Sequence, residues 1–310
     1  MSFRNSSVAE CKFSLVLALS CLFGACHAGN PIIESVSPPV GQRGTEFDIR
    51  VEGEGFSKSS TLVFYSEEIE CVSAKLVSEY ELEATLRTSE KCPLKNHPFR
   101  VLAEHGFSDM RAIRVTPFSV MPEGKGADST GQGKAVSIDK GVTISGVLES
   151  GDIDRYSVQL EKGQTLSAEV EAVRLGYELL DTVLTIKSPD GEVLVRCDDD
   201  ALFQQDPVAS IVAAEAGDYE ISLHESNYKG SLTSHYALHL GSFPRPGVVY
   251  PAGGVYGQTL KVALLAADGN TSQHVVRLPA KEDAEGFELL LAGESDTSLP
   301  TPLPFRLGEL

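Results

Sequence analysis

The chain has 310 residues, 26 Lys plus Arg against 44 Asp plus Glu, no Trp, and 42% hydrophobic with 23% charged residues. Those fractions fit a globular protein of two or three domains at about 100 to 150 residues each. A net charge of -18 excludes nucleic acid and anionic lipid as main partners, because binding to phosphate relies on Lys and Arg releasing counterions.

Residues 1–28 stand apart. Arg4 and Lys12 precede an apolar stretch from Phe13 to Phe23, which the small residues of Gly24-Ala25-Cys26-His27-Ala28 close. That order predicts a secretory signal peptide. A second reading takes Phe23-Gly24-Ala25-Cys26 as a lipoprotein cleavage box with Cys26 lipidated. Both readings export the chain to a periplasmic, cell-surface or extracellular place. No later segment approaches the roughly 20 apolar residues of a membrane helix, so none is expected in the mature chain. In an oxidising compartment Cys71 and Cys92, which fall in one predicted domain, are expected to form a disulfide, leaving Cys197 as a small buried hydrophobe.

The mature chain reads as short alternating runs closed by turn residues, such as Phe47-Asp48-Ile49-Arg50-Val51, Tyr156-Ser157-Val158-Gln159-Leu160 and Tyr236-Ala237-Leu238-His239-Leu240. Period-two runs bounded by Gly, Asp, Asn and Pro mean strands with one buried face. The expected fold class is therefore all-β, as tandem β-sandwiches over 29–120, 141–242 and 247–310. Residues 121–140, rich in Gly and Pro from Met121 to Lys134, read as a linker, and Phe243-Pro244-Arg245-Pro246-Gly247 marks a second boundary. Val208 to Ala216 is expected to be one strand of a hairpin, because Asp206-Pro207 and Gly217-Asp218 bracket it.

The outer segments repeat. Pro38-x-x-Gly41-x-x-Gly44 precedes Phe47 and Ile49, and Pro251-x-x-Gly254-x-x-Gly257 precedes Leu260 and Val262 at the same offsets. Pro98-Phe99-Arg100-Val101 is matched by Pro304-Phe305-Arg306-Leu307. On that alignment the third segment lacks a counterpart of Ala112-Ile113-Arg114-Val115 and is an incomplete immunoglobulin-like copy with an open edge.

The run Ile33-x-Ser35-Val36-Ser37-Pro38, the two turn glycines and Val51-Glu52-Gly53-Glu54-Gly55-Phe56 make residues 31–120 resemble an IPT/TIG domain. That resemblance implies an immunoglobulin-like interaction or spacer module without catalytic residues. The middle segment resembles the bacterial pre-peptidase C-terminal domain through Gly146-x-Leu148-x-x-Gly151-Asp152-x-Asp154-x-Tyr156, Ser188-Pro189-Asp190-Gly191, Cys197-Asp198-Asp199-Asp200, Gly217-Asp218-Tyr219 and Tyr236-x-Leu238-x-Leu240. It implies a jelly-roll-like sandwich appended to exported proteins, some of which bind calcium through carboxylates and the preceding linker. Here Ala127-Asp128-Ser129-Thr130 departs from the linker motif of that family.

Independently of family, Asp198, Asp199, Asp200 and Asp206 gather carboxylates of the kind calcium takes, with a solvated acidic turn as the alternative. His224, His235 and His239 are candidate zinc ligands if two neighbouring strands bring them together, and surface histidines otherwise. His-Glu-x-x-His, Gly-x-Ser-x-Gly and Cys-x-x-Cys are absent from the sequence, and Gly131-Gln132-Gly133-Lys134 lacks the leading Gly and the Ser or Thr of a P-loop. The sequence thus predicts an exported, non-catalytic bacterial surface protein acting as an adhesion, ligand-binding or spacer module, with an unknown polysaccharide or protein as ligand. The alternative is an accessory region of a larger exported hydrolase or peptidase.

Overall fold

Alternating apolar side chains give most strands one face to bury, and in the computed structural model these faces close onto one another as paired sheets. Described are residues 29–124, 133–243, 245–266, 271–284, 287, 289 and 299–309. The expected leader, Cys26 and Ala127-Asp128-Ser129-Thr130 lie outside them. Among the described residues there is no α-helix, only two 3-10 turns at Val173–Leu175 and Lys281–Asp283, so no helix is long and apolar enough to cross a membrane.

The first unit comprises β1 (Ile32–Ser37), β2 (Val40–Gln42), β3 (Glu46–Glu54), β4 (Thr61–Phe64), β5 (Ile69–Ser78), β6 (Glu81–Thr88), β7 (Asn96–Ala103), β8 (Gly106–Phe107) and β9 (Arg111–Thr116). Sheet β1-β3-β6-β5 packs on sheet β2-β9-β7-β4 around Ile49, Val51, Leu82, Leu86, Phe99 and Ile113. The second unit comprises β10 (Ser119–Pro122), β11 (Lys134–Ala135), β12 (Val142–Val147), β13 (Asp154–Leu160), β14 (Thr165–Glu171), β15 (Thr182–Lys187), β16 (Val193–Cys197), β17 (Val208–Val212), β18 (Gly217–Glu225) and β19 (His235–Gly241). Its sheets run β10-β12-β19-β14-β17 and β11-β13-β18-β15-β16. The third comprises β20 (Pro246–Tyr250), β21 (Gly253–Val255), β22 (Thr259–Ala266), β23 (Thr271–Arg277) and β24 (Arg306–Gly308), in sheets β20-β22-β23 and β21-β24.

Three sequence expectations change. The ends of the predicted linker are edge strands of the second unit: β10 pairs in parallel with β12, and β11 in parallel with β13. Val136 and Ile138 enter its core. Val208–Val212 is a strand but no hairpin forms with β18, because β17 pairs with β14 while β18 pairs with β13 and β15 in the opposite sheet. The second boundary is also packed, since Phe243 is fully buried and stacks on Phe118 with ring centroids 5.7 Å apart.

The repeat holds to the level of register. Val36 faces Val51 and Ser37 faces Arg50; in the third unit Val249 faces Leu264 and Tyr250 faces Ala263, the same offsets from Pro38 and Pro251. Gly44 and Gly257 share a left-handed φ of 72°, a conformation that costs a side chain. A strand stands in the closing position expected to be missing, while the third unit remains the smaller copy, with five described strands against nine. β24 runs parallel to β21 as β9 runs parallel to β2, with Leu307 opposite Gly254 as Val115 is opposite Gly41. Arg114 N donates to Pro39 O and Arg306 N donates to Ala252 O. Arg306-Leu307 is therefore the counterpart of Arg114-Val115, not of Arg100-Val101. Leu289, Leu299 and Leu303 fill the third core.

The units meet at a buried charge cluster. Arg114 of β9 donates to Glu171 of β14, Nε to Oε2 at 2.5 Å, and through Nη2 to Thr301 Oγ1 at 3.0 Å. Thr301 Oγ1 donates to Glu171 Oε1 at 2.8 Å, and Arg245 Nη2 lies 2.6 Å from Glu169 Oε2. Burial works against a charged Glu171, but the guanidiniums of Arg114 and Arg174 outweigh it and hold the carboxyl well below the usual range.

Candidate ligand-binding face

The residues singled out for calcium do not gather. Asp198 and Asp199 are exposed, and Asp200 is half-buried in a turn where its Oδ1 accepts from Leu202 N at 2.8 Å. Asp206 is fully buried and turned the other way. Its carboxylate accepts from the backbone N–H groups of Ala172, Val173 and Arg174 at 3.0, 2.9 and 3.1 Å and from Arg174 Nε at 2.7 Å. It braces the 3-10 turn instead of facing an ion, and no group of three or more His, Cys, Asp or Glu among the described residues could hold a metal.

The histidines are neither joined nor on the surface. His224 lies on β18 and His235 and His239 on β19, in opposite sheets, and all three are buried. His239 Nδ1 is 2.8 Å from Thr143 Oγ1 and its Nε2 is 3.3 Å from Glu171 Oε1. The predicted Cys71–Cys92 disulfide is not formed. Cys71 on β5 points its sulfur at Ser73 O, 3.3 Å away, while the buried Cys92 sulfur sits 3.4 Å from His97 Nε2. Burial, with Asp198 and Asp200 adding to it, pushes the Cys197 thiol up to about 11, in keeping with the inert role expected for it.

What the structure does assemble is the outer face of sheet β1-β3-β6-β5. Alternation along β3 turns Glu46, Asp48, Arg50, Glu52 and Glu54 outward, and Ile49 and Val51 inward. The register then sets outward residues in rows: Ser37, Arg50, Glu83 and Lys75 in one, and Asp48, Thr85 and Ser73 in the next. Opposite charges side by side on a sheet stabilise it by about 0.2 to 1 kcal/mol per pair. They also hold one another's heads: Arg50 Nε lies 2.7 Å from Glu81 Oε1, and Thr85 Oγ1 donates to Asp48 Oδ1 at 2.7 Å.

Over these rows lies an open groove of about 600 Å³ lined by Ser37, Asp48, Arg50, Lys75, Glu83 and Thr85. It shares Glu52 with a shallower depression of about 270 Å³ beside Tyr80, and Ser37 with a more apolar one of about 460 Å³ between Phe47 and Val120. The three adjoin, with Tyr80 at one end and charged and hydroxyl groups along the outer face; the third turns off that face between the units, where Phe47, inward on β3 like Ile49, packs on the core. Glu34, Glu46, Asp48, Glu52, Glu54, Glu81 and Glu83 line them against Arg50 and Lys75 as the cations. Such a face can hydrogen-bond a polyhydroxylated chain and repels an anionic one. Sequence reasoning missed it. The outward residues of β3 carry the signal, but nothing in one strand's pattern says which neighbours stand beside it.

No family model matches the chain, and no curated protein matches it. Among solved structures, it is similar to the periplasmic inhibitor of g-type lysozyme PliG of Aeromonas hydrophila, at 13% identity and a TM-score of 0.26 over 40% of this chain and 96% of that one. SGBP-B from a complex xyloglucan utilization locus in Bacteroides uniformis matches at 10% identity and a TM-score of 0.25, over 69% of this chain and 72% of that one. The adhesin InvE of Yersinia pseudotuberculosis matches at 10% identity and a TM-score of 0.24, over 86% and 66%. At these scores the likeness bears on neither ligand nor activity.

Proposed function

We propose that the chain is an exported, non-catalytic module that binds an extended neutral or amine-bearing polysaccharide along the outer face of sheet β1-β3-β6-β5. The observation that carries this reading is the run of adjoining depressions, with Arg50 and Glu83 at its centre and Tyr80 at its outer end. Carboxylates and a guanidinium fixed by cross-strand partners present hydrogen-bonding groups without first having to be ordered, which lowers the cost of binding. The face is open to water, as suits capture and not chemistry. Export rests on the leader-like residues 1–28, and the character of a surface module on the resemblances to the IPT/TIG and pre-peptidase C-terminal domains.

A glycan array probed with the purified protein tests it. Neutral and amino-sugar polymers are expected to retain the protein, and sulfated or uronic acid polymers are not. The double variant Arg50→Ala with Glu83→Ala is expected to weaken retention by about tenfold or more, since hydrogen bonds to charged groups contribute about 1.5 to 3 kcal/mol each. Retention on no glycan, or equal retention of the variant, would refute the proposal.

A further inference from the structure

Tyr228 occupies the turn between β18 and β19 on the second unit, away from the groove. Its φ of 58° makes it, with Gln204, one of two non-glycine residues in the left-handed region among the described residues. For a residue with a side chain that backbone costs roughly 1 to 2 kcal/mol, and Gly or Asn adopts it more easily. The turn is nonetheless pinned from several sides. Tyr228 N donates to Glu225 O at 2.9 Å, Gly151 N donates to Tyr228 O at 3.1 Å, and Asn227 N and Lys229 N both donate to Glu225 Oε2, at 2.8 and 2.6 Å. Ser226 Oγ donates to Asp181 Oδ2 at 2.8 Å and ties in the neighbouring loop.

Against that fixed turn the phenol ring lies flat on the His224 imidazole, with centroids 4.6 Å apart and planes 6° from parallel. His224 is 7% exposed and Tyr228 is 44% exposed. One ring face is spent on a buried imidazole, and the exposure belongs to what remains. Exposed Asn227 and Lys229 adjoin Tyr228 in the chain, and Leu179, 88% exposed, stands two residues from Asp181 on the neighbouring loop. An aromatic plate held in place on a buried imidazole and open to solvent matches a pyranose ring. Such a ring offers an apolar C–H face with hydroxyls around its edge.

We infer that Tyr228 is a stacking platform for one sugar ring, a contact point separate from the groove and sharing only its ligand class. The strained backbone is what places an aromatic ring here, at a cost in stability.

Saturation-transfer NMR on the purified protein with cellohexaose, maltohexaose and chitohexaose tests this. At least one is expected to show transfer to its ring C–H protons. Tyr228→Phe should keep that transfer and Tyr228→Ala should weaken affinity about fivefold or more, the size of one aromatic stacking contact. Tyr228→Asn should lose affinity while raising Tm, because Asn tolerates the left-handed backbone. No transfer from any of the three, or a Tyr228→Ala protein that binds as the parent does, overturns the inference. A Tyr228→Asn protein with a lower Tm also overturns it, by showing that the ring is there for stability. The Arg50→Ala, Glu83→Ala double variant separates the two claims: if it alone abolishes binding, the groove stands and the platform falls.

Discussion

Glu123 shows how a single carboxyl couples the edge strand β10 to its sandwich. Its Oε2 accepts from Val147 N at 2.9 Å beside the buried Asp154 and Tyr236, whose hydroxyl donates to Asp154 Oδ2 at 2.5 Å. Burial, helped by the charge of Asp152, raises its pKa. A carboxyl raised in the folded state contributes stability that is fully present below its unfolded pKa and is lost as pH rises through the folded value. Glu123→Gln is therefore expected to lessen the fall in Tm between about pH 4.3 and pH 7, as thermal melts in matched buffers would show; an unchanged slope contradicts it. Asp206 illustrates the limit of spacing arguments at this scale. Four aspartates close in sequence look alike, yet three face water or a turn, and one enters the core to satisfy three N–H groups and a guanidinium. Asp206→Ala leaves those N–H donors unpaired and takes from Arg174 one of its two carboxylates, with Glu169 remaining, and a loss of about 3 kcal/mol or more is expected by chemical denaturation.

At the scale of elements, the repeat was legible because its determinants are local. A proline, two glycines and the next apolar pair specify one strand, its turn and its face, and the register of β1 with β3 recurs in β20 with β22. What misled was the Pro-Phe-Arg match, because a short motif does not say which strand it pairs with; that depends on residues about fifty positions upstream. Gly44→Ala and Gly257→Ala should each cost about 1 kcal/mol, since both glycines hold φ near 72°. A difference of more than about 2 kcal/mol between them would count against equivalent turns. The edge strands β10 and β11 escaped notice for the opposite reason: Gly and Pro nearby signal a linker, and parallel pairings of four and two residues leave little periodicity to read.

Across the whole molecule, Arg114 of the first unit, Glu169, Glu171 and Arg174 of the second, and Arg245 and Thr301 at the third meet in one buried cluster. No sequence pattern reveals it, because its members come from all three units, as far as 187 positions apart. Removing one partner of a buried ion pair leaves the other uncompensated, at about 3 to 5 kcal/mol, so Glu171→Ala should lower Tm and increase the maximum dimension in small-angle scattering as the units loosen. The same fixed arrangement keeps β10 beside β2, where the more apolar depression runs between Phe47 and Val120. The most direct test of the binding face is an amide NMR titration with the highest-scoring oligosaccharide from the array. Shifts at Asp48, Arg50, Glu52, Glu83 and Thr85, extending to Tyr80 and Val120, are what the account predicts; binding that leaves all of these amides unmoved would contradict it.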